Sequence, residues 1–170
     1  MARRRWRDVV LVLGLLGITA GNLLWRRRPP PRPPAGGSPP SFVLPRAGGG
    51  EVRFDGGSGR PTVIDFWATW CGPCRTELPV LDRLAGRHRG AIDFIAVSVD
   101  EPGERARVLA FLAERRLSLP VALDGLAVAN RFLVTNLPHL ILVGADGRIR
   151  EQLVGGRDEA ELDAAIAGLR

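Results

Sequence analysis

The sequence "DFWATWCGPCRTELP", residues 65–79, holds both cysteines of the 170-residue chain, Cys71 and Cys74. The β-branched and aromatic run "TVIDFW", residues 62–67, predicts a strand that ends just before them. Apolar side chains after Cys74 fall at helical spacing, so a helix is expected to follow the strand. Cys71 is therefore expected at a helix N-terminus, where unpaired backbone N–H groups and the helix dipole favour the thiolate.

This spacing indicates thiol redox chemistry, with the two cysteines in different roles. A thiolate at Cys71 is placed to react with a disulfide. Cys74, one helical turn further along and deeper in the domain, is placed to attack the resulting mixed disulfide and release the product. Gly72 and Pro73, which separate the cysteines, let the backbone turn tightly and begin the helix.

Three other uses of the cysteine pair compete with this interpretation. A structural disulfide normally joins distant segments, because closing a loop of two residues removes little chain entropy. A zinc site would need His88 and His139 as further ligands, but these do not form the second close pair of a structural zinc site. Inert buried thiols fit poorly with the flanking Trp-Cys and Gly-Pro. The comparison favours redox chemistry.

The formal charge of +6 comes from the N-terminal region and not from the rest of the chain. Residues 1–40 carry eight arginines against one acid, which leaves 16 arginines and 17 acids in residues 41–170. The remainder is close to neutral and offers no basic face for a phosphate backbone, so nucleic-acid binding is not expected.

The N-terminal region has the pattern of a membrane anchor, assigned to residues 1–25. An apolar segment lies between Trp6 and Trp25, with four arginines beyond each end. Its length is close to the ~20 residues that a helix needs to cross a bilayer, and tryptophan is typical of the interfaces. A cleaved secretory signal is the alternative. The arginine counts at the two ends of the segment are equal, so the positive-inside rule does not indicate an orientation. The expected extracytoplasmic placement of the domain is therefore based on its redox chemistry.

A linker is expected between this anchor and a single domain. The sequence "RRRPPPRPPAGGSPP", residues 26–40, is rich in proline and arginine and predicts a semi-rigid polyproline spacer. The domain is assigned to residues 41–170, a length sufficient for one hydrophobic core.

Strands and helices alternate in the predicted domain, which indicates an α/β sandwich around a mixed sheet. In chain order the predicted elements are a hairpin of "SFVLP" and "EVRF", the strand 62–67, the cysteine helix, a strand 92–99, a helix at about 102–116, a strand in "LPVALD", a short helix in "GLAVANRFL", a hairpin in "HLILVGADGRIREQLV" and a last helix capped by Asp158.

The run "VIDFWATWCGPC" resembles the active-site strand and turn of thioredoxins. The N-terminal anchor, the first hairpin, "CGPCRTELP" and "NLPHLILVGADGRI" resemble the membrane-anchored thioredoxin-like disulfide reductases of the TlpA and ResA group. The resemblance covers residues 41–170. It implies a thioredoxin fold, a mixed sheet sandwiched by helices, with an N-terminal β-hairpin and a central insertion, preceded by one transmembrane helix.

The resemblance also implies how substrate is held. Cys71 would be the nucleophile and Cys74 the resolving thiol, while Trp70, Gly72 and Pro73 would form the surrounding substrate surface. In "NLP", Pro138 would be a cis-proline facing the disulfide, which leaves the backbone of Leu137 free to pair with an extended substrate segment. The alternative is a trans proline that begins an edge strand.

Two acids are candidates for proton transfer. Asp65, on the predicted strand, matches a buried acid of thioredoxins that is thought to accept the proton of Cys74. The chain has no lysine to pair with Asp65, so burial should raise its pKa. Glu77 matches a glutamate that is common in the anchored reductases. The alternatives are a structural role for Asp65 and a helix-dipole role for Glu77.

The two histidines are expected to be less informative. His139 follows Pro138 where thioredoxins usually have threonine, and would either face the active site or, as base rates favour, point to solvent. His88, in "GRHRG" at a helix end, is expected at the surface.

The sequence therefore predicts a protein-disulfide reductase of the extracytoplasmic (periplasmic) side of a membrane, a monomer that needs no cofactor beyond its own disulfide. Its expected partners are a membrane electron donor and exported proteins with a disulfide, apocytochrome c being the family's usual candidate. The alternatives are a copper-site assembly factor that binds Cu(I) through Cys71 and Cys74, with His139 as a further candidate ligand, and an adaptor without redox turnover.

Overall fold

The strand that leads to the cysteines lies at the centre of the sheet. A computed structural model of the chain describes residues 35–56 and 59–169. The predicted anchor and residues 26–34 of the predicted linker lie outside these residues. Within the described part of the chain, no helix combines the length and the apolar character needed to cross a membrane.

The strands of the structure form two sheets, and from residue 72 onwards the helices are interspersed with strands along the chain. The strands are β1 (Phe42–Pro45), β2 (Glu51–Phe54), β3 (Thr62–Trp67), β4 (Asp93–Ser98), β5 (Val121–Leu123), β6 (His139–Val143) and β7 (Ile149–Val154). The helices are α1 (Gly72–Arg87), α2 (Arg105–Arg115), α3 (Ala127–Arg131) and α4 (Glu159–Ala167), with a 3-10 turn at Pro102–Glu104.

The main sheet has five strands in the order β5-β4-β3-β6-β7. β3 pairs in parallel with β4 and antiparallel with β6, so the predicted mixed sheet is confirmed. Every residue of β3 is buried, as expected for a continuous apolar strand with neighbours on both sides and both faces covered. Phe66 of β3 pairs with His139 of β6, which places the beginning of β6 beside the end of β3.

The helix after the cysteines begins at Gly72 and packs through one apolar stripe. Leu78, Leu81 and Leu84 are all buried, and their spacing of three residues follows the turn of the helix. Each fully buried leucine side chain stabilises the fold by roughly 1.5–3 kcal/mol. This stripe holds α1, and the cysteines at its beginning, in a fixed position on the sheet.

The predicted N-terminal hairpin is present and covers the region of the central insertion, formed by β5 and α3. β1 and β2 pair antiparallel, with the rings of Phe42 and Phe54 centred 5.4 Å apart. Phe42 also lies 6.1 Å from Phe132, which follows α3. The hairpin is joined to β5 by the hydrogen bond from Ala47 N–H to the carbonyl of Val121.

Part of the predicted linker is bonded to the domain. Gly36 donates its N–H to the carbonyl of Ile149, and Ile149 donates its N–H to the carbonyl of Gly37. The guanidinium of Arg148 also donates to the carbonyl of Gly36. The chain is therefore attached to β7 before the predicted domain boundary at residue 41.

The last helix begins as the sequence predicts. Asp158 accepts the backbone N–H of Glu161 at 2.9 Å, and Glu161 accepts the N–H of Asp158, which completes a capping box. The expectation of a surface position for His88 is wrong. Its ring is buried because α4 packs against α1: its Nε2 lies 3.2 Å from a carboxylate oxygen of Asp163, and the ring stacks on Phe94.

Candidate active site

Cys71 and Cys74 form a disulfide at the junction of β3 and α1. Cys71 is the N-cap residue of α1, and its sulfur accepts the backbone N–H of Cys74 at 3.3 Å. Cys71 is 6% exposed and Cys74 only 1%. The predicted helix N-terminus is therefore confirmed, and Cys71 is the more exposed of the two cysteines.

An exposed indole precedes the disulfide in the chain, and a cis-proline precedes the neighbouring strand β6. Trp70 is 64% exposed, whereas Trp67 is completely buried. The Leu137–Pro138 peptide bond is cis, as predicted, and it comes directly before β6. Since the beginning of β6 lies beside the end of β3, Pro138 is placed at the edge of the sheet that carries the disulfide.

A loop after β7 completes this edge, and sequence reasoning missed it. Gly155 donates its N–H to the carbonyl of Pro138 at 2.9 Å. A Cβ atom at Gly156 would lie 3.3 Å from Cβ of Pro73, so a side chain there would require Pro73 to shift by a few tenths of an ångström. The signal in the sequence is the pair Gly155-Gly156 at the end of the last strand.

Asp65 lies on β3, six residues before Cys71, and its side chain is buried. Both of its carboxylate oxygens lack a hydrogen-bond partner among the described residues. It pairs across the sheet with Ala96 on one side and Leu140 on the other. Burial raises the pKa of Asp65 well above its usual value, and the negative charge of Glu77 raises it further. Such a carboxyl group can hold or accept a proton near neutral pH.

Glu77 connects α1 to the loop after β7. Its Oε2 accepts the backbone N–H of Arg157 at 2.7 Å, and the side chain is buried. Burial raises the pKa of Glu77, and the hydrogen bond and charge of Arg157 oppose this shift. A helix-dipole role alone does not describe it, because Glu77 lies beyond the first turn of α1 and its carboxylate is used in a specific contact.

His139 is buried, so the expectation that it points to solvent is wrong. It is the first residue of β6, and its Nε2 lies 2.8 Å from Oε1 of Gln152 on β7. His88 is held by Asp163 at the opposite end of α1 from the cysteines. The four ligands of the zinc alternative are therefore not brought together. The described residues contain no group of three or more histidine, cysteine or acidic side chains able to hold a metal ion.

A third buried carboxylate fixes the segment before the cysteines, and this too was missed. Asp100 accepts the backbone N–H of Thr69 at 3.0 Å and its hydroxyl group, and the hydroxyl group of Ser98 at 2.7 Å. Asp100 and Thr69 are both buried. The sequence signal is the acid two residues after β4, since residues at the carboxyl ends of parallel strands lie at one edge of the sheet.

Comparison with known proteins agrees with this geometry. The Redoxin family matches residues 34–166. The chain is 32% identical over 121 residues to the thiol-disulfide oxidoreductase ResA of Halalkalibacterium halodurans, covering 70% of this chain and 68% of that protein. It is 26% identical over 166 residues to the thioredoxin-like protein YneN of Bacillus subtilis, covering 96% and 97%.

Solved structures show the same fold. A crystal structure described as a putative thiol:disulfide interchange protein DsbE, from Chlorobium tepidum, matches with a TM-score of 0.73 and 28% identity. The match covers 80% of this chain and 97% of that one. The predicted thioredoxin-like α/β fold is confirmed.

Proposed function

Because the chain belongs to the Redoxin family and is a thiol-disulfide oxidoreductase of the ResA type, we propose that it works in the reducing direction on disulfides of exported proteins. One observation carries the proposal. Cys71, the more exposed cysteine of the pair, lies at a helix N-terminus directly after an exposed indole, and the cis-proline precedes the strand that pairs with the end of β3. This arrangement favours the Cys71 thiolate and leaves room for a substrate peptide.

The proposed reaction has two exchange steps. The Cys71 thiolate attacks one sulfur of the substrate disulfide, forming a mixed disulfide and releasing the other sulfur as a thiolate. The Cys74 thiol then loses its proton and attacks the sulfur of Cys71, which releases the second substrate thiolate. The substrate gains two electrons, and the enzyme is left as the Cys71–Cys74 disulfide seen in the structure. A membrane electron donor would restore the dithiol.

Each neighbouring residue has a part in this scheme. Asp65, buried and with a raised pKa, takes the proton of Cys74. The backbone of Leu137, before the cis bond, pairs with the extended substrate while Trp70 packs beside it. Glu77 holds the loop after β7 against the beginning of α1 through the N–H of Arg157.

The direction of electron flow is tested by the reduction potential. The dipeptide between the cysteines is Gly-Pro, and we expect a potential nearer the ~−270 mV of thioredoxin than the ~−120 mV of DsbA. Equilibration with glutathione followed by thiol trapping measures it. A potential above about −180 mV would make the protein an oxidant or isomerase and overturn the proposed direction.

Two variants separate catalysis from the alternatives. A Cys74→Ser variant should accumulate a mixed disulfide with substrate, and a Cys71→Ser variant should form none. Nanomolar Cu(I) binding by the reduced protein, lost in Cys71→Ser, would instead favour a copper-site assembly factor. Failure of the wild-type protein to reduce any disulfide would leave the adaptor interpretation.

The proposed location is the outer side of the cell membrane, with the chain anchored by the apolar segment of residues 1–25. Its support is the distance of 18 residues between the flanking tryptophans and the resemblance to anchored reductases. That resemblance also makes apocytochrome c our candidate substrate, and we expect the domain to be monomeric. Alkaline phosphatase fused after Arg170 should be active. An inactive fusion with a protease-protected domain would place the domain in the cytosol.

A further inference from the structure

A surface cavity beside Cys71 is lined by two arginines and by no acid. Its volume is about 380 Å³, and its walls are Gly72, Arg75, Thr76, Pro79 and Arg115. Gly72 is bonded directly to Cys71, so the cavity adjoins the proposed nucleophile. The proton transfer and peptide pairing described above use neither of the two arginines.

Both guanidinium groups are held against one buried ring. The guanidinium carbons of Arg75 and Arg115 lie 5.7 and 5.8 Å from the ring centroid of Phe111. Phe111 is buried and packs on Trp67, with the ring centroids 5.3 Å apart. The cation–π contacts therefore position two positive charges on a rigid base that continues into the strand leading to the disulfide.

The helix geometry places Arg75 one turn after the proposed nucleophile, Cys71. The backbone N–H of Arg75 donates to the carbonyl of Cys71 at 3.1 Å, so the two residues lie one helical turn apart on the same face. Arg75 makes no ion pair with any described residue. Arg115 has one carboxylate contact, with its exposed neighbour Glu114 at 3.5 Å, and a surface pair of this kind holds its partner weakly.

We infer that this cavity, the arginine cavity, binds the carboxylate of an acidic residue close to the substrate cystine, so that the enzyme prefers disulfides in acidic segments. The inference rests on the proposed reductase function and adds the substrate class. Guanidinium groups match carboxylates in geometry and charge. Because the cavity adjoins Cys71, a carboxylate near the substrate cystine would bind there and favour that substrate over others.

The test compares three synthetic peptide disulfides that differ only in the residues flanking the cystine: glutamate, glutamine or lysine. The reduced full-length protein is mixed with each peptide at low ionic strength, and the second-order rate constant of reduction is measured. We expect the glutamate peptide to react about three- to tenfold faster than the glutamine peptide, and the lysine peptide more slowly than both. Added salt should bring the three rate constants together.

Variants separate the cavity from the net charge of the protein. In the double variant Arg75→Gln/Arg115→Gln, the ratio of glutamate to glutamine rate constants should fall to about one. The matched control Arg53→Gln/Arg89→Gln removes the same charge on the hairpin and beyond the far end of α1, and should keep the wild-type ratio. A single Arg115→Glu variant should shift the preference towards the lysine peptide.

The outcomes distinguish this inference from the function on which it rests. Equal rate constants for the three peptides, or the same loss of selectivity in the control, would overturn the arginine cavity while leaving a working reductase. Failure to reduce any of the peptides would overturn the proposed function itself, and the inference with it.

Discussion

The carboxylate of Asp100 accepts the backbone N–H of Thr69 at 3.0 Å, two residues before Cys71, the proposed nucleophile. The contact joins the end of β4 to the segment between β3 and α1. Since both residues are buried, water cannot replace this bond if it is lost. Asp100 is therefore a positioning residue: it touches no reacting atom, but it fixes the backbone from which Trp70 and Cys71 project.

We expect Asp100→Ala to lower both stability and the rate of disulfide exchange. Removing a buried charged acceptor costs about 1.5–3 kcal/mol of unfolding free energy, which urea melts would measure. Because the freed backbone can move, the rate of insulin reduction by the folded protein should also fall, and Asp100→Asn should recover part of it.

A matched control is Asp82→Ala. Asp82 accepts the N–H groups of Ser118 and Leu119 at 2.8 Å, far along α1 from the cysteines. Because these contacts are exposed or only part-buried, this variant should lose less stability than Asp100→Ala and should keep the wild-type exchange rate. An Asp100→Ala variant that is destabilised but exchanges at the wild-type rate would show that Asp100 is structural only.

A second prediction concerns the proton of Cys74. The site around this thiol is apolar, so its thiolate forms with difficulty unless a nearby base accepts the proton. We expect Asp65→Asn to slow disulfide exchange by roughly one to two orders of magnitude below neutral pH, and much less at high pH where hydroxide competes. Insulin-reduction rates from pH 6 to 9 would measure the change. Wild-type rates throughout would leave water or Glu77 as the acceptor.

The same variant should change how stability depends on pH. The pKa of Asp65 is raised in the folded protein, so the native state binds more protons than the unfolded chain. The free energy of unfolding therefore falls as the pH rises from about 4 through the folded pKa. We expect oxidised Asp65→Asn to be more stable than wild type by about 1–3 kcal/mol at pH 8 and to differ little at pH 4. Urea melts giving the same difference at both pH values would contradict this.

A fourth prediction concerns Glu77, whose charge raises the pKa of Asp65. In Glu77→Gln the amide oxygen still accepts the N–H of Arg157, while the repulsion is gone. Asp65 should ionise more readily, so the low-pH limb of the exchange-rate profile should move to lower pH by a few tenths to about one unit. Glu77→Ala should also weaken substrate binding, because the loop after β7 loses its hydrogen bond. An unchanged pH profile in Glu77→Gln would show that the charge of Glu77 does not affect the ionisation of Asp65.

The sequence was sufficient where the determining interactions are local. The strand 62–67, the helix that follows the cysteines and the cap at Asp158 were predicted because hydrophobic periodicity and capping act over a few residues. The cis bond before Pro138 was predicted only through the resemblance.

What the sequence did not reveal depends on contacts between distant residues. Glu77 contacts Arg157, which lies 80 positions further along the chain, and His88 contacts Asp163, which lies 75 positions further along. No local sequence pattern predicts such a contact, so the burial of both histidines and the role of the Gly155-Gly156 loop were missed. The burial of His88 follows from the packing of α4 against α1, and that of His139 from the pairing of β6 with β3 and β7, which only the folded chain shows.

The hydrogen bonds between Gly36, Gly37 and Ile149 attach the N-terminal part of the domain to one end of β7. Ile149 begins β7, and Val154, at the other end of that strand, pairs with His139 beside the cis-proline. A pull on the chain at residue 35 would load the edge strand at the end of the sheet opposite the disulfide. Force applied to the chain before Gly36 would therefore enter the domain at the end of β7 that lies away from the cis-proline.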